Sequence, residues 1–148
     1  MKAEEMWNLY TKSNNVKNKT YHAWSFGSDP LTANELAKLV VDGVKTATAS
    51  AYQLYALEKC PLPPVGGLNI ILDGDNKAVC ITETTKIYIC PFMEVSEEHA
   101  FKEGEGDKSL SYWRKVHKDF FSKELKEFGL DFDEEMLVVC EEFKIIFK

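Results

Sequence analysis

The chain has 148 residues, 45% of them hydrophobic and 28% charged, which is the composition of a globular protein able to bury a core without disulfide or metal staples. Its formal net charge of −6 argues against an extended surface that follows nucleic-acid phosphates with clustered Lys and Arg, although a small basic pocket is compatible with it.

Met6, Leu9 and Tyr10 recur at helical spacing and predict a short N-terminal helix ending near Asn14-Asn15. The aromatic stretch YHAWSFG, closed by Gly27, reads as a strand or an extended entry. TANELAKLVVDG carries a full set of helix signals: Thr32 and Glu35 as a capping box, Leu36, Leu39 and Val40 as an apolar stripe, and Gly43 as the stop. AYQLYALE is a second short helix, ended by Pro61, Pro63 and Pro64. Gly66-Gly67 opens LNIIL, DGDN turns the chain, and KAVCITETTKIYIC is two strands or one long bent one. Ser96 begins the helix SEEHAFKE, which stops at GEGD. SLSYWRKVHKDFFSKELKEFG follows as a longer helix, with Leu110, Trp113, Val116, Phe120 and Phe128 on its apolar period and Gly129 as its stop. MLVVCEEFKIIFK closes the chain as strand.

No repeat or linker divides the sequence, so residues 1–148 are expected to form one domain, with residues 1–19 as a helical extension. Strands and helices do not alternate regularly, which argues against a doubly wound parallel sheet. The expectation is an α+β fold: a small curved sheet or barrel, mostly antiparallel, flanked by helices near 33–42 and 109–128. Cys60, Cys80, Cys90 and Cys140 form no C-x-x-C pair and read as reduced thiols. The acidic start lacks the apolar region of a signal peptide and no run is long enough to span a bilayer, so a cytoplasmic protein without membrane partners is expected.

GVKTATAS, residues 43–50, sets one cation among small side chains, three of which, Thr46, Thr48 and Ser50, carry hydroxyls. Burial lowers the pKa of an unpaired lysine and lets it take a proton from a neighbouring hydroxyl. On a straight strand Lys45 and Thr48 point to opposite faces, and a turn or bulge after Gly43 brings them together. The plainer alternative is a solvated lysine at the start of a Thr-rich strand. KEGEGDKS gathers Glu103, Glu105 and Asp107 around two glycines, either as a source of a pocket carboxylate or as an acidic loop. Trp113 and His117, four apart and beside Arg114, either stack on and hydrogen-bond a base or belong to the core. His99 and Glu103 lack further ligands at useful spacing, and no phosphate loop or nucleophile elbow is present, so neither metal nor cofactor is expected.

Taken together, GVKTAT after a capped helix resembles the G-x-K-x-x-T signature of the ASCH family (activating signal cointegrator homology domains). FG…ANELAKLVVDGVKTATAS, VGGLNIILDGD, VCITETT, EEHAFKEGEGDKSLSYWRKVHKDFF and the final strand occur in the order of its bacterial single-domain branch, over about residues 20 to 147. The resemblance implies a PUA-like fold, a small β-barrel with helices around it and a cleft suited to RNA or nucleotides. One branch consists of acetylcytidine amidohydrolases that use a Lys, a Thr three residues on and a later Glu; by the motif these fall on Lys45, Thr48 and Glu103, with Glu105 or Glu83 as the alternative carboxylate. Ser50, Glu105, Trp113, Arg114 and His117 are then the residues expected around a nucleoside or short single-stranded RNA. The arginine that ends the motif in those amidohydrolases is absent, since Thr48 is followed by Ala49 and Ser50, and Arg114 is the candidate replacement. Other relatives resemble RNA-binding modules or ribonucleases, so a non-catalytic binding module or a ribonuclease stands beside the hydrolase.

Overall fold

A computed structural model describes residues 1–148. In chain order the elements are α1 (Ala3–Ser13), β1 (His22–Ser25), α2 (Pro30–Val41), β2 (Ala47–Ala51), α3 (Tyr52–Leu57), β3 (Leu68–Leu72), β4 (Ala78–Pro91), α4 (Glu97–Glu103), α5 (Leu110–Lys126) and β5 (Leu137–Phe147). The strands form one sheet in the order β1-β3-β4-β5-β2. Its spine is β4, rich in the β-branched and aromatic residues that pack well on a pleated surface, paired antiparallel with β5. Residues 78–91 are thus one long strand, bent at register shifts between Ile81 and Thr82 and between Thr84 and Lys86.

The pairs β3–β4, β4–β5 and β5–β2 are antiparallel, whereas β1 runs parallel to β3, so the sheet is mixed. Parallel neighbours need a crossover, and here the chain between them passes through α2, β2 and α3. The sheet curls into a half-barrel that stays open between its two edge strands, β1 and β2. That opening holds a cleft lined by residues of both edge strands.

Helices cover the sheet. Ala37 and Val40 of α2 meet Phe26, Ile71, Cys80 and Phe143, while Met6 of α1 meets Ile70 and Ile81. Trp113, Phe121 and Leu125 of α5 meet Phe92, Val138 and Cys140. No helix is long and apolar enough to cross a membrane.

Three local expectations are corrected. Helix α2 begins at Pro30, and the cap is Asp29, whose carboxylate accepts from the Thr32 backbone N–H at 2.9 Å and its hydroxyl at 2.8 Å. Proline fits the first helical position, so the helix starts before the Thr32/Glu35 pair. On α1, Leu9 is exposed, and Trp7 joins Tyr10 beside Tyr21 and Phe147. On α5 the buried stripe is Trp113, His117, Phe121 and Leu125, with Val116 and Phe120 half-buried and Phe128 exposed. The helix is rotated because a histidine, counted as polar in a hydropathy pattern, occupies a core position.

Ser109 caps α5 by accepting from the Tyr112 N–H at 3.1 Å. Ser109→Ala is expected to lower stability by about 1 kcal/mol, read as a reduced urea midpoint with an unchanged m-value.

Candidate functional site

The end of α2 turns Lys45 inward. Gly43 takes a left-handed conformation (φ 77°), and the N–H groups of Val44 and Lys45 both bond to the Leu39 carbonyl, at 2.9 and 3.0 Å. The next residue is pinned to the end of α4, where Thr46 N–H donates to the Lys102 carbonyl at 2.7 Å. Gly104, also left-handed (φ 69°), lets α4 approach so closely that a Cβ there would stand 2.5 Å from the Val44 carbonyl oxygen. This close approach puts Glu103 and Glu105 around the lysine.

Lys45 is only 1% exposed. Its ammonium lies 3.2 Å from Glu103 Oε1 and 2.8 Å from Glu105 Oε2. Burial by itself would lower the lysine pKa, but the two carboxylates outweigh it and the net shift is upward. Glu103, also 1% exposed, has four side-chain partners. Oε1 faces Lys45 and, at 3.3 Å, His117 Nε2; Oε2 accepts from Trp113 Nε1 at 2.5 Å and meets His99 Nε2 at 2.7 Å. Burial would raise this carboxyl, yet Lys45 and His117 hold it well below the usual range.

His117 stacks on Trp113 with ring centroids 4.1 Å apart, and its Nδ1 lies 2.9 Å from the Trp113 carbonyl. Both ring nitrogens face acceptors, an environment met in full by the imidazolium. Burial opposes that charge, but Glu103 overrides it and raises the His117 pKa. Glu103, Glu105 and His117 bring ligand atoms within 4.8 Å of one another, a grouping of the kind a cation uses. The Lys45 ammonium stands among the carboxylates and supplies that positive charge itself.

The cleft between the sheet edges has a volume of about 510 Å³. Trp24, Phe26, Tyr55 and Phe120 form its aromatic parts, while Thr48, Ser50, Asn69 and Glu141 are polar groups lining it. Thr48 pairs with Glu141 across β2 and β5, so the two side chains share a face. The Lys45 ammonium sits behind this wall, 5.2 Å from the centre of the Phe26 ring.

A family model described as the ASCH domain matches residues 22–147. The chain belongs to the ASCH family. An ASCH domain from Lactobacillus crispatus is 36% identical, covering 98% of this chain and 94% of its own, with a TM-score of 0.92. A protein from Enterococcus faecalis is likewise 36% identical, covering 97% and 87%, at a TM-score of 0.91. An ASCH protein from Zymomonas mobilis, 14% identical with a TM-score of 0.50, shares the fold. No curated protein matches the chain. The family is linked to RNA binding.

In this ASCH domain the expected site residues fall into two groups. Lys45, Glu103, Glu105, Trp113 and His117 form the buried charged cluster; Thr48 and Ser50 line the cleft, where Ser50 Oγ lies 2.6 Å from the Tyr55 hydroxyl. The polar partners of the Lys45 ammonium are Glu103 and Glu105, and the Thr48 hydroxyl is not one of them. Arg114 is exposed on α5 and donates to the Met93 carbonyl at 3.0 Å, away from both groups. Glu83 sits 3.5 Å from Lys144 on the neighbouring strand.

Sequence reasoning passed over Trp24, Asn69, Glu141 and the His99 contact. The His99–Glu103 spacing was visible, and the missing element was Trp113 reaching the same carboxylate from another helix. Glu141 stands in VVCEEF, where strand alternation makes one of two adjacent acids face inward, but the face is fixed only by pairing with β2 and β4.

Proposed function

We propose that this ASCH domain binds a single nucleoside, free or as one splayed nucleotide of single-stranded RNA, in the cleft between β1 and β2. The observation that carries the reading is the cleft's lining: four aromatic side chains around hydroxyl, amide and carboxyl groups, with no lysine or arginine among them. Such a wall suits stacking and edge recognition of an uncharged heterocycle better than a run of phosphates.

The finer reading is hydrolysis of an acyl group on that nucleoside, as the resemblance to acetylcytidine amidohydrolases implies. Thr48 is then the attacking hydroxyl, since it lines the cleft. Lys45 acts as a fixed positive charge behind the wall, because two carboxylates hold its proton. Incubation with N4-acetylcytidine, other acylated nucleosides and short RNAs, followed by mass spectrometry, tests this. The expected products are the free nucleoside and a carboxylic acid, with turnover lost in Thr48→Val and nucleoside binding retained. Binding without any product supports the second reading, a non-catalytic nucleotide-binding module, which the charged state of Lys45 favours because the lysine then cannot take a proton from Thr48. Absence of nucleoside binding overturns both.

A further inference from the structure

We infer that Glu141 reads the ligand's edge in this cleft, its free carboxylate oxygen accepting an N–H from a heterocycle; the inference rests on the nucleoside reading above. Glu141 is 7% exposed and has no cationic partner. A buried carboxylate without a counter-charge is costly unless donors reach it. One donor does: the Thr84 hydroxyl, 2.5 Å from Oε2. Oε1 makes no hydrogen bond within the protein and belongs to a residue on the cleft wall. Burial raises the Glu141 pKa and the Thr84 bond opposes that rise, so a second donor from a ligand would further favour the carboxylate.

The neighbouring strands fix the direction of this bonding. Trp24 Nε1 can only donate, and it donates to Asn69 Oδ1 at 3.0 Å. Asn69 therefore turns Nδ2 toward Thr84 Oγ1, 3.4 Å away. With that oxygen accepting from Asn69, the Thr84 hydrogen is directed to Glu141. The chain Trp24→Asn69→Thr84→Glu141 crosses β1, β3, β4 and β5 and ends as an acceptor facing the cleft. A ligand edge that offers N–H satisfies it, whereas one that offers only carbonyl oxygens places acceptor against acceptor.

The chain also predicts what an amide does in this place. In Glu141→Gln, Thr84 still supplies a donor, so the amide oxygen takes the position of Oε2 and the NH₂ group turns into the cleft. The acceptor becomes a donor. Calorimetric titration with cytidine, which carries an exocyclic amine, and with 3-methyluridine, which has base carbonyls but no base N–H, reads the change. The wild-type protein is expected to bind cytidine at least about tenfold more tightly, the scale of one hydrogen bond to a charged group. In Glu141→Gln the ratio should fall to about one or reverse. Glu141→Leu, which removes the acceptor without supplying a donor, should bring the ratio to about one and decides the matter if the glutamine variant does not fold. Equal binding of the two nucleosides by the wild type, or an unchanged preference in the variants, overturns the role of Glu141 while leaving the cleft reading intact. If the wild type binds neither, both fall.

Discussion

Lys45→Met is expected to destabilise the protein by about 3–5 kcal/mol, the usual cost of removing one partner from a buried ion pair. The substitution preserves much of the side chain's length and apolar stem, so the loss comes from the charge. Without the ammonium, Glu103 remains 1% exposed, with the donors of Trp113 and His99 and the neighbouring His117 as its compensation. Glu105 loses its 2.8 Å partner as well. Urea unfolding near neutral pH measures the loss. The companion variant Glu103→Gln, combined with Lys45→Met, should recover part of it, because the buried charge has gone with its partner. A coupling of roughly 1–3 kcal/mol between the two substitutions is expected. If Lys45→Met lies within about 1 kcal/mol of wild type, the two carboxylates are hydrated or protonated in solution and the cluster is not a buried ion network.

The position of that cluster was partly legible in the sequence. The glycine stop before Lys45 predicts a tight turn, and the turn does send the lysine inward. Spacing alone could not say which groups it would meet, because Glu103 lies 58 residues away and arrives only when α4 docks on residues 44–46. The strands were legible from their β-branched runs, but the parallel placement of β1 was not. It depends on the path of a long crossover, which no local pattern encodes. The rotation of α5 was hidden for a related reason. His117 belongs to the buried stripe only because Glu103, from another helix, compensates its charge. The cleft is the least local feature: its opposing edges, β1 and β2, are consecutive strands in the chain but lie at the two ends of the sheet.

The same compensation makes stability depend on pH in a definite direction. Glu103 has a lowered pKa in the folded protein, so its contribution is complete above the ordinary value of 4.5 and is lost as pH falls through the lowered one. His117 is raised, so its contribution is complete below 6.5 and is lost as pH climbs through the raised value. The combined contribution of these two groups is greatest from about pH 5 to 6.5 and declines on the alkaline side. For one proton the decline is at most about 1.4 kcal/mol per pH unit. His117→Phe keeps an aromatic ring against Trp113 and removes the titration, so the decline attributable to His117 should vanish. Urea unfolding of both proteins across this range isolates the effect, because the other ionisable side chains are common to both. Parallel profiles for the two would show that His117 is uncharged in the fold. Deprotonation of His117 also bears on Lys45. It leaves the cluster with one uncompensated negative charge, which tightens the hold on the ammonium proton rather than loosening it. Raising pH through neutrality should therefore not turn Lys45 into a base. Any activity at Thr48 that increases over this range should keep its pH profile in Lys45→Arg, and loss of that profile would return the base role to the lysine.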